Sequence, residues 1–382
     1  MNRFADLVSK AARDMAGYFP PANPTSADHP RLIKLDSNEN PFGPSPLAIE
    51  AMRRALVSAS FYPDNDCTEL RRKLASHHDV HIQQVLVTAG STEMLSLLCQ
   101  TMLASGLNAI TSERSFIVYA MAVRATGANF IQVPMSPHAD VFDLDAILAA
   151  INPATRLVFL TNPNNPTGTV LGAAAIDRFL ADVPKHVVVV LDEAYFDFAE
   201  HFAAQRKLEY SHSLESVRRG GNLIVLRTFS KAHGLAGLRV GYGLGPPGLL
   251  DYCRSMQEAF SVSSVAQAAA MAALDDHAHI AQAVSNNAAQ AHALYDELAG
   301  LGYHVVPTFA NFLYCDVKQP AAEVSGRLLR EGIAVRPLTA WGAPNCIRVT
   351  IGTPEQNQAL LHAIRKQGAG PQANQSAIRN PP

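Results

Sequence analysis

Between residues 85 and 228 the chain alternates short apolar runs with stretches of helical periodicity, and few architectures accommodate that pattern. Residues 85–89, 108–111, 130–133, 157–161, 187–191 and 223–226 read as buried strands, whereas 93–103, 118–126 and 173–182 repeat apolar residues at helical spacing. The run at 187–191 is Val-Val-Val-Val-Leu, apolar at every position, as a strand covered on both faces requires. Strand and helix in alternation predict an α/β fold with a largely parallel sheet between helical layers. Ligands of such sheets lie beyond the carboxyl ends of the strands, so the residues that follow each run are where chemistry is sought.

After about residue 248 the texture changes. An Ala-rich helical region runs through 264–300, followed by short strands near 311–316, 334–336 and 347–351 and helices near 320–331 and 354–367. These form a second, smaller α/β unit. The division expected is an N-terminal arm at 1–45 joining the small domain, a large domain at 46–260, the small domain at 261–367 and a disordered tail at 368–382. The arm carries four prolines between 20 and 31, and the tail is nearly devoid of apolar residues. A chain of 382 residues with 48% hydrophobic composition sustains two such cores.

The bulk numbers also exclude function classes. A net charge of -2 offers no basic field for nucleic acid, and the pairs Arg71-Arg72 and Arg218-Arg219 read as solvated faces. The five cysteines are scattered, with no CxxC pair, so no metal site or disulfide framework is expected. The N-terminus lacks the apolar run of a signal peptide, and no stretch has the length of a membrane span. The expectation is a cytoplasmic protein with reduced thiols.

The richest segment is Arg227-Thr-Phe-Ser-Lys-Ala-His-Gly-Leu-Ala-Gly-Leu-Arg-Val-Gly-Tyr242. Lys231 follows a strand, behind the hydroxyls of Thr228 and Ser230, and a glycine-rich stretch leads on to Arg239. A lysine forms an imine with an aldehyde only as the free amine, so a buried, electropositive setting suits it. The hydroxyls and Arg239 suit a phosphate close by.

This segment resembles the lysine motif of fold-type I pyridoxal-phosphate aminotransferases (class I/II), above all the histidinol-phosphate aminotransferase branch. Three further segments resemble that family in the same order. They are Asp36-Ser-Asn-Glu-Asn-Pro-Phe-Gly43, Asn162-Pro-Asn-Asn-Pro-Thr-Gly168 and Leu191-Asp-Glu-Ala-Tyr-Phe-Asp-Phe198, and the similarity spans roughly 33–367. The resemblance implies a large domain with a mostly parallel seven-stranded sheet and a smaller α/β domain, and pyridoxal 5'-phosphate held as an imine on Lys231. It implies ping-pong transamination between an amino donor and a 2-oxo acid such as 2-oxoglutarate, with Lys231, Asp192 and Tyr195 as catalytic residues and no metal.

The resemblance also distributes the cofactor contacts. Asp192 at a strand end faces the ring nitrogen, which must be protonated for the ring to act as an electron sink. Asn165 and Tyr195 reach the phenolic oxygen. Ser91 and Thr92, at the start of a helix after the 85–89 strand, are candidate caps and phosphate ligands beside Thr228, Ser230 and Arg239. Phe116 matches the aromatic that stacks on the ring, and Tyr62 the tyrosine that reaches the neighbouring subunit's phosphate, which implies a homodimer. Arg348 lies in an apolar strand, where a guanidinium makes sense if it forks onto a substrate anion; Arg336 and Asn40 are further substrate contacts, with Tyr18 a weaker one.

Two other readings stay open. A decarboxylase of a phosphorylated amino acid shares the Asn165 and Asp192 segments, and a non-catalytic binding module could use the same scaffold. The amino donor is open too, between histidinol phosphate and an aromatic amino acid. The chain departs from the usual histidinol-phosphate pattern at His233, at Arg114-Ser115-Phe116 and at Phe260-Ser-Val-Ser263. A dinucleotide-binding fold is disfavoured, because Gly241-Tyr-Gly-Leu-Gly245 runs into two prolines instead of a helix opening.

Overall fold

The computed structural model describes residue 4 and residues 7–15, 32–136 and 140–366; Tyr18, the proline-bearing stretch 20–31 of the arm and the tail at 368–382 lie outside them. In chain order the strands are β1 (Ile33–Leu35), β2 (Val85–Thr88), β3 (Asn108–Ser112), β4 (Asn129–Val133), β5 (Thr155–Thr161) and β6 (Val188–Asp192). They continue with β7 (Leu223–Thr228), β8 (Gly241–Leu244), β9 (His304–Val306), β10 (Phe312–Asp316), β11 (Ile333–Pro337) and β12 (Cys346–Thr350). Seven of them form one sheet in the order β2-β8-β7-β6-β5-β3-β4. The β3–β4, β3–β5, β5–β6 and β6–β7 pairs are parallel, and β8 runs antiparallel to both β2 and β7. This is the mostly parallel seven-stranded sheet anticipated above.

Alternation along the strands explains why both faces are covered. Val189 and Leu191 of β6 join one core with Val158, Leu160, Val225 and Phe179. Val190 joins the opposite core with Phe159, Ile224, Leu226 and Leu95. A strand buried from both sides has no polar face to show, hence the unbroken valines.

β8 escaped the sequence reading because its Gly-Tyr-Gly-Leu composition is poor strand material. Its glycines answer to close approach. A Cβ on Gly241 would stand 2.7 Å from the Ser91 nitrogen, and one on Gly243 would stand 3.0 Å from Met94 Cε. The helix Gly90–Met102 therefore lies directly on β8, which fixes where its N-terminus points. A helix does open after β8, at Pro247, contrary to expectation.

The other five strands form the small sheet, in the order β1-β11-β12-β10-β9. β1 pairs parallel to β11, so the arm carries residues 36–40 from the small sheet towards the large one. The Ala-rich region is two helices, Ser264–Ala273 and His277–Gly300, separated at Asp276, whose side chain accepts from His279 N at 3.2 Å. Ala266, Ala269, Ala270 and Ala273 share the core of the large sheet. We therefore propose the division between the two cores at 274–276, beyond the boundary at 260 that texture suggested. Arg71 is another departure. Its guanidinium is buried and donates to the carbonyls of Val85 (2.9 Å) and Ile82 (2.9 Å), joining a helix to the edge strand.

Directly behind the end of β6 sits a buried ion pair. Arg227 on β7 donates from Nε (3.1 Å) and Nη2 (2.8 Å) to Glu193 Oε2, Ser211 donates to Glu193 Oε1 at 2.6 Å, and the guanidinium lies 3.5 Å from the Phe196 ring centroid. Removing one partner strands the other in a medium where it cannot be solvated. Arg227→Met is expected to lower unfolding free energy by about 3–5 kcal/mol in chemical denaturation, and adding Glu193→Gln to recover part of it. No recovery in the double variant would show that the pair is not what Arg227 supplies.

Candidate active site

A cavity of about 550 Å³ opens beyond the carboxyl ends of β5, β6 and β7, between the two sheets. Its wall brings together Ser91, Thr92, Phe116, Asn165, Asp192, Tyr195, Thr228, Ser230, Lys231, Arg239, Arg336 and Arg348, segments up to 257 residues apart in the chain (348 − 91). Glu39 and Trp341 also line it, and neither was singled out from the sequence.

Lys231 follows β7 and reaches back towards the arm. Its Nζ donates to the carbonyls of Ser37 (3.2 Å) and Asn38 (3.1 Å). Burial, reinforced by Arg348 and Arg239 against the opposing pull of Glu39 and Asp192, brings its ammonium down from 10.5 to about 7. Near neutral pH a large fraction is free amine, the form that can attack a carbonyl.

Asp192 ends β6 and is buried. Oδ1 accepts from Ala194 N at 3.2 Å and Oδ2 from the Tyr119 hydroxyl at 3.1 Å. Burial pushes it up to about 6, and these two donors work against that rise. Its carboxylate is thus available at neutral pH to a cationic partner in the cavity.

A hydroxyl-rich end of the cavity lies at the N-terminus of Gly90–Met102. Ser91 and Thr92 fall inside the first turn and do not cap it; Ala89 holds the cap position, and Glu93 accepts from the Ala89 N–H instead. Their hydroxyls are left to the cavity. Thr228 Oγ1 donates to Ser230 Oγ at 2.9 Å, and Arg239 Nη1 stands 3.5 Å from the same oxygen. Arg239 adopts a left-handed backbone (φ 52°), and its guanidinium fills the space over Gly90, where a Cβ would approach Nη2 to 2.6 Å. Gly90 itself has φ 76°, so both geometry and room demand glycine there. Four hydroxyls, a helix N-terminus and a guanidinium make an anion cradle.

The opposite wall is held by arginines. Arg348 on β12 is buried, donates to Asn165 Oδ1 (2.6 Å) and to the Asp36 carbonyl (2.8 Å), and its Nε has no partner among the described residues. Arg336 on β11 faces the Asp36 carboxylate at 3.3 Å. The expected fork onto a substrate anion is thus pre-engaged by Asn165 and the arm.

Two sequence candidates stand elsewhere. Asn40 does not line the cavity; it donates to the Ala232 carbonyl at 2.8 Å and accepts from Phe42 N, bracing the lysine segment from behind. The neighbour that matters is Asn38, in left-handed backbone (φ 57°), which donates to the Tyr195 hydroxyl at 2.9 Å and whose carbonyl accepts from Lys231. The signal that could have found it is the tolerance of asparagine for that conformation. Tyr62 is 82% exposed, stacked on Phe260 at 4.6 Å, away from its own chain's cavity.

These residues fit the pyridoxal phosphate that the resemblance implies: an amine near its working pKa, a buried carboxylate for a ring nitrogen and a built anion cradle, all in one cavity. The chain belongs to the class I and II aminotransferase family, whose model matches residues 30–364. Within it, the chain is 43% identical over 372 residues to histidinol-phosphate aminotransferase 2 of Pseudomonas aeruginosa, covering 96% of this chain and 99% of that one. It is 43% identical over 338 residues to the histidinol-phosphate aminotransferase of Moorella thermoacetica, covering 88% and 85%. Among solved structures, histidinol-phosphate aminotransferase from Sinorhizobium meliloti, in complex with pyridoxal-5'-phosphate, superposes with a TM-score of 0.84 at 25% identity, covering 96% of this chain and 99% of that chain. The chain is thus an enzyme of amino-group transfer. No helix among the described residues is long and apolar enough to cross a membrane.

Proposed function

We propose that this chain uses pyridoxal phosphate to move the amino group of histidinol phosphate to a 2-oxo acid such as 2-oxoglutarate. The observation that carries the reading is the convergence on one cavity of Lys231, Asp192 and the Ser91–Thr92–Ser230–Arg239 cradle. Relatives named histidinol-phosphate aminotransferase over nearly the whole length support the choice of donor.

When bound, pyridoxal phosphate supplies an electron sink for negative charge at the donor's alpha carbon. The cradle at Gly90–Met102 would hold its phosphate, Asp192 would keep its ring nitrogen protonated, and Asn165 with Tyr195 would face its phenolic oxygen. Lys231 carries the proton work: as a free amine near pH 7 it takes the proton from the donor's alpha carbon in the first half-reaction, and as the protonated amine it gives a proton to the alpha carbon derived from the acceptor in the second. Arg348 and Arg336 present positive charge to the anionic ends of donor and acceptor, and the Asn165 and Asp36 contacts keep both guanidinia in place until then. Phe116 closes the apolar side and excludes water. Tyr62, exposed in one protomer, would reach the cofactor of a second copy and so make the working unit a homodimer. Five buried free thiols support a cytoplasmic setting.

A panel of donors with 2-oxoglutarate tests the substrate. kcat/KM for histidinol phosphate is expected to exceed that for phenylalanine and tyrosine by at least about tenfold, the worth of one charge-assisted phosphate contact. Equal or better use of phenylalanine would overturn the donor, and carbon dioxide release from a phosphorylated amino acid would overturn the reaction.

A further inference from the structure

Asp192 is served from behind by a chain of hydroxyls that no part of the proposed chemistry has yet used. The Tyr119 hydroxyl lies 3.1 Å from Asp192 Oδ2 and 2.6 Å from Thr161 Oγ1, and Thr161 Oγ1 lies 3.3 Å from Ser115 Oγ. All these side chains are buried. Hydrogen counting fixes the direction. An ionised Asp192 only accepts, so Tyr119 spends its single hydrogen on it; Thr161 then donates to the Tyr119 oxygen, and Ser115 to Thr161. Each donor is polarised by the next, towards the carboxylate.

The fold builds this chain on purpose-shaped ground. Thr161 and Asp192 are register partners on the parallel strands β5 and β6. The Tyr119 ring stacks on Phe159, two residues before Thr161 on the same strand, with centroids 4.6 Å apart and planes within 10°. That stack sets the ring plane and leaves the hydroxyl little freedom. The same ring meets Phe116 edge-on at 5.6 Å, so one residue touches both the carboxylate and the aromatic wall of the cavity. Other charges near Asp192 are Glu193, which opposes its ionisation, and Lys231, which favours it.

We propose that Tyr119, backed by Thr161 and Ser115, is a positioning residue that holds Asp192 as an aimed carboxylate, so that the proton between Asp192 and the cofactor's ring nitrogen resides on the ring. This rests on the reading of the cavity as a pyridoxal-phosphate site. Without the Tyr119 donor the carboxylate becomes the stronger base of the pair, draws the proton to itself, and leaves a neutral ring that is a poorer electron sink. The phenol suits the task because burial, with the Asp192 charge beside it, keeps it protonated far above neutral pH.

The test uses holoenzyme reconstituted with pyridoxal phosphate labelled with nitrogen-15 in the ring. Wild type is expected to show the resonance of a protonated ring nitrogen. Tyr119→Phe, which keeps the ring stack, is expected to move it towards neutral pyridine, with Thr161→Val in between. Cofactor retention and kcat are expected to fall about tenfold in Tyr119→Phe while KM for the donor changes little, the loss of one buried charge-assisted hydrogen bond. A protonated-ring resonance unchanged in both variants would overturn the proposal and leave the cofactor reading intact. Should Tyr119→Phe fail to fold, Thr161→Val decides alone, by the same resonance. Wild type that retains no pyridoxal phosphate would sink the cofactor reading and this inference with it.

Discussion

Lys231→Ala is expected to lower kcat by about 10⁴-fold, the upper range for losing a proton-transferring group, and to retain its fold by circular dichroism. The size follows from Lys231 being both the amine that meets the cofactor's aldehyde and the base that faces the alpha carbon. The preserved fold follows from linkage. The folded-state ammonium sits at about 7, against 10.5 in the ordinary lysine, so folding disfavours the charged form. Below pH 7 both states carry the proton and the destabilisation is complete; as pH rises from 7 to 10.5 the unfolded chain holds more protons and relative stability climbs. The alanine variant lacks that rise. Its stability should therefore depend less on pH than wild type's between 7 and 10.5, measured by urea denaturation at several pH values. A variant that keeps more than a few per cent of wild-type turnover would remove Lys231 from the chemistry.

Asp192→Asn is expected to cost about 10²–10³-fold in kcat, comparable to removing one preorganised electrostatic group from an active site. Asparagine preserves the shape but keeps one acceptor oxygen, so it can accept from Ala194 N or from the Tyr119 hydroxyl and not from both; the change removes the charge together with one hydrogen bond. KM for the donor should move far less than kcat, because the carboxylate faces the cofactor and not the donor. Steady-state kinetics on cofactor-saturated enzyme make the measurement. A kcat within twofold of wild type would mean that the ring needs no anionic partner here.

The chemistry-bearing segments were legible because each sits just after an apolar run, and an apolar run is the one pattern a buried parallel strand cannot avoid. Lys231 after β7, Asp192 at the end of β6 and Ser91 after β2 all announce themselves by that position. What stayed hidden depended on neighbours that the chain reaches only in three dimensions. Tyr119 lies in the first turn of the helix Val118–Ala125, beside Val118, Ala120, Ala122 and Val123, and reads as core; only the register of β5 against β6 makes its hydroxyl a donor to Asp192. Arg71 looks like a surface charge in a sequence, yet it is buried against specific acceptors, and nothing in the segment Arg227–Tyr242 shows that Arg227 pairs with a buried Glu193. β8 was masked by glycines whose reason is the helix packed on them. Asn38 and Asn40 are indistinguishable by composition, and backbone conformation decides which one faces Tyr195.

The proposed chemistry turns on one amine beside one phosphorylated aldehyde. Borohydride reduction of protein incubated with pyridoxal phosphate, followed by peptide mass mapping, reads this directly. A single pyridoxyl adduct on Lys231 is expected, formed faster as pH rises through about 7 and its amine loses the proton. An adduct spread over exposed lysines such as Lys207, or none at all, would contradict it.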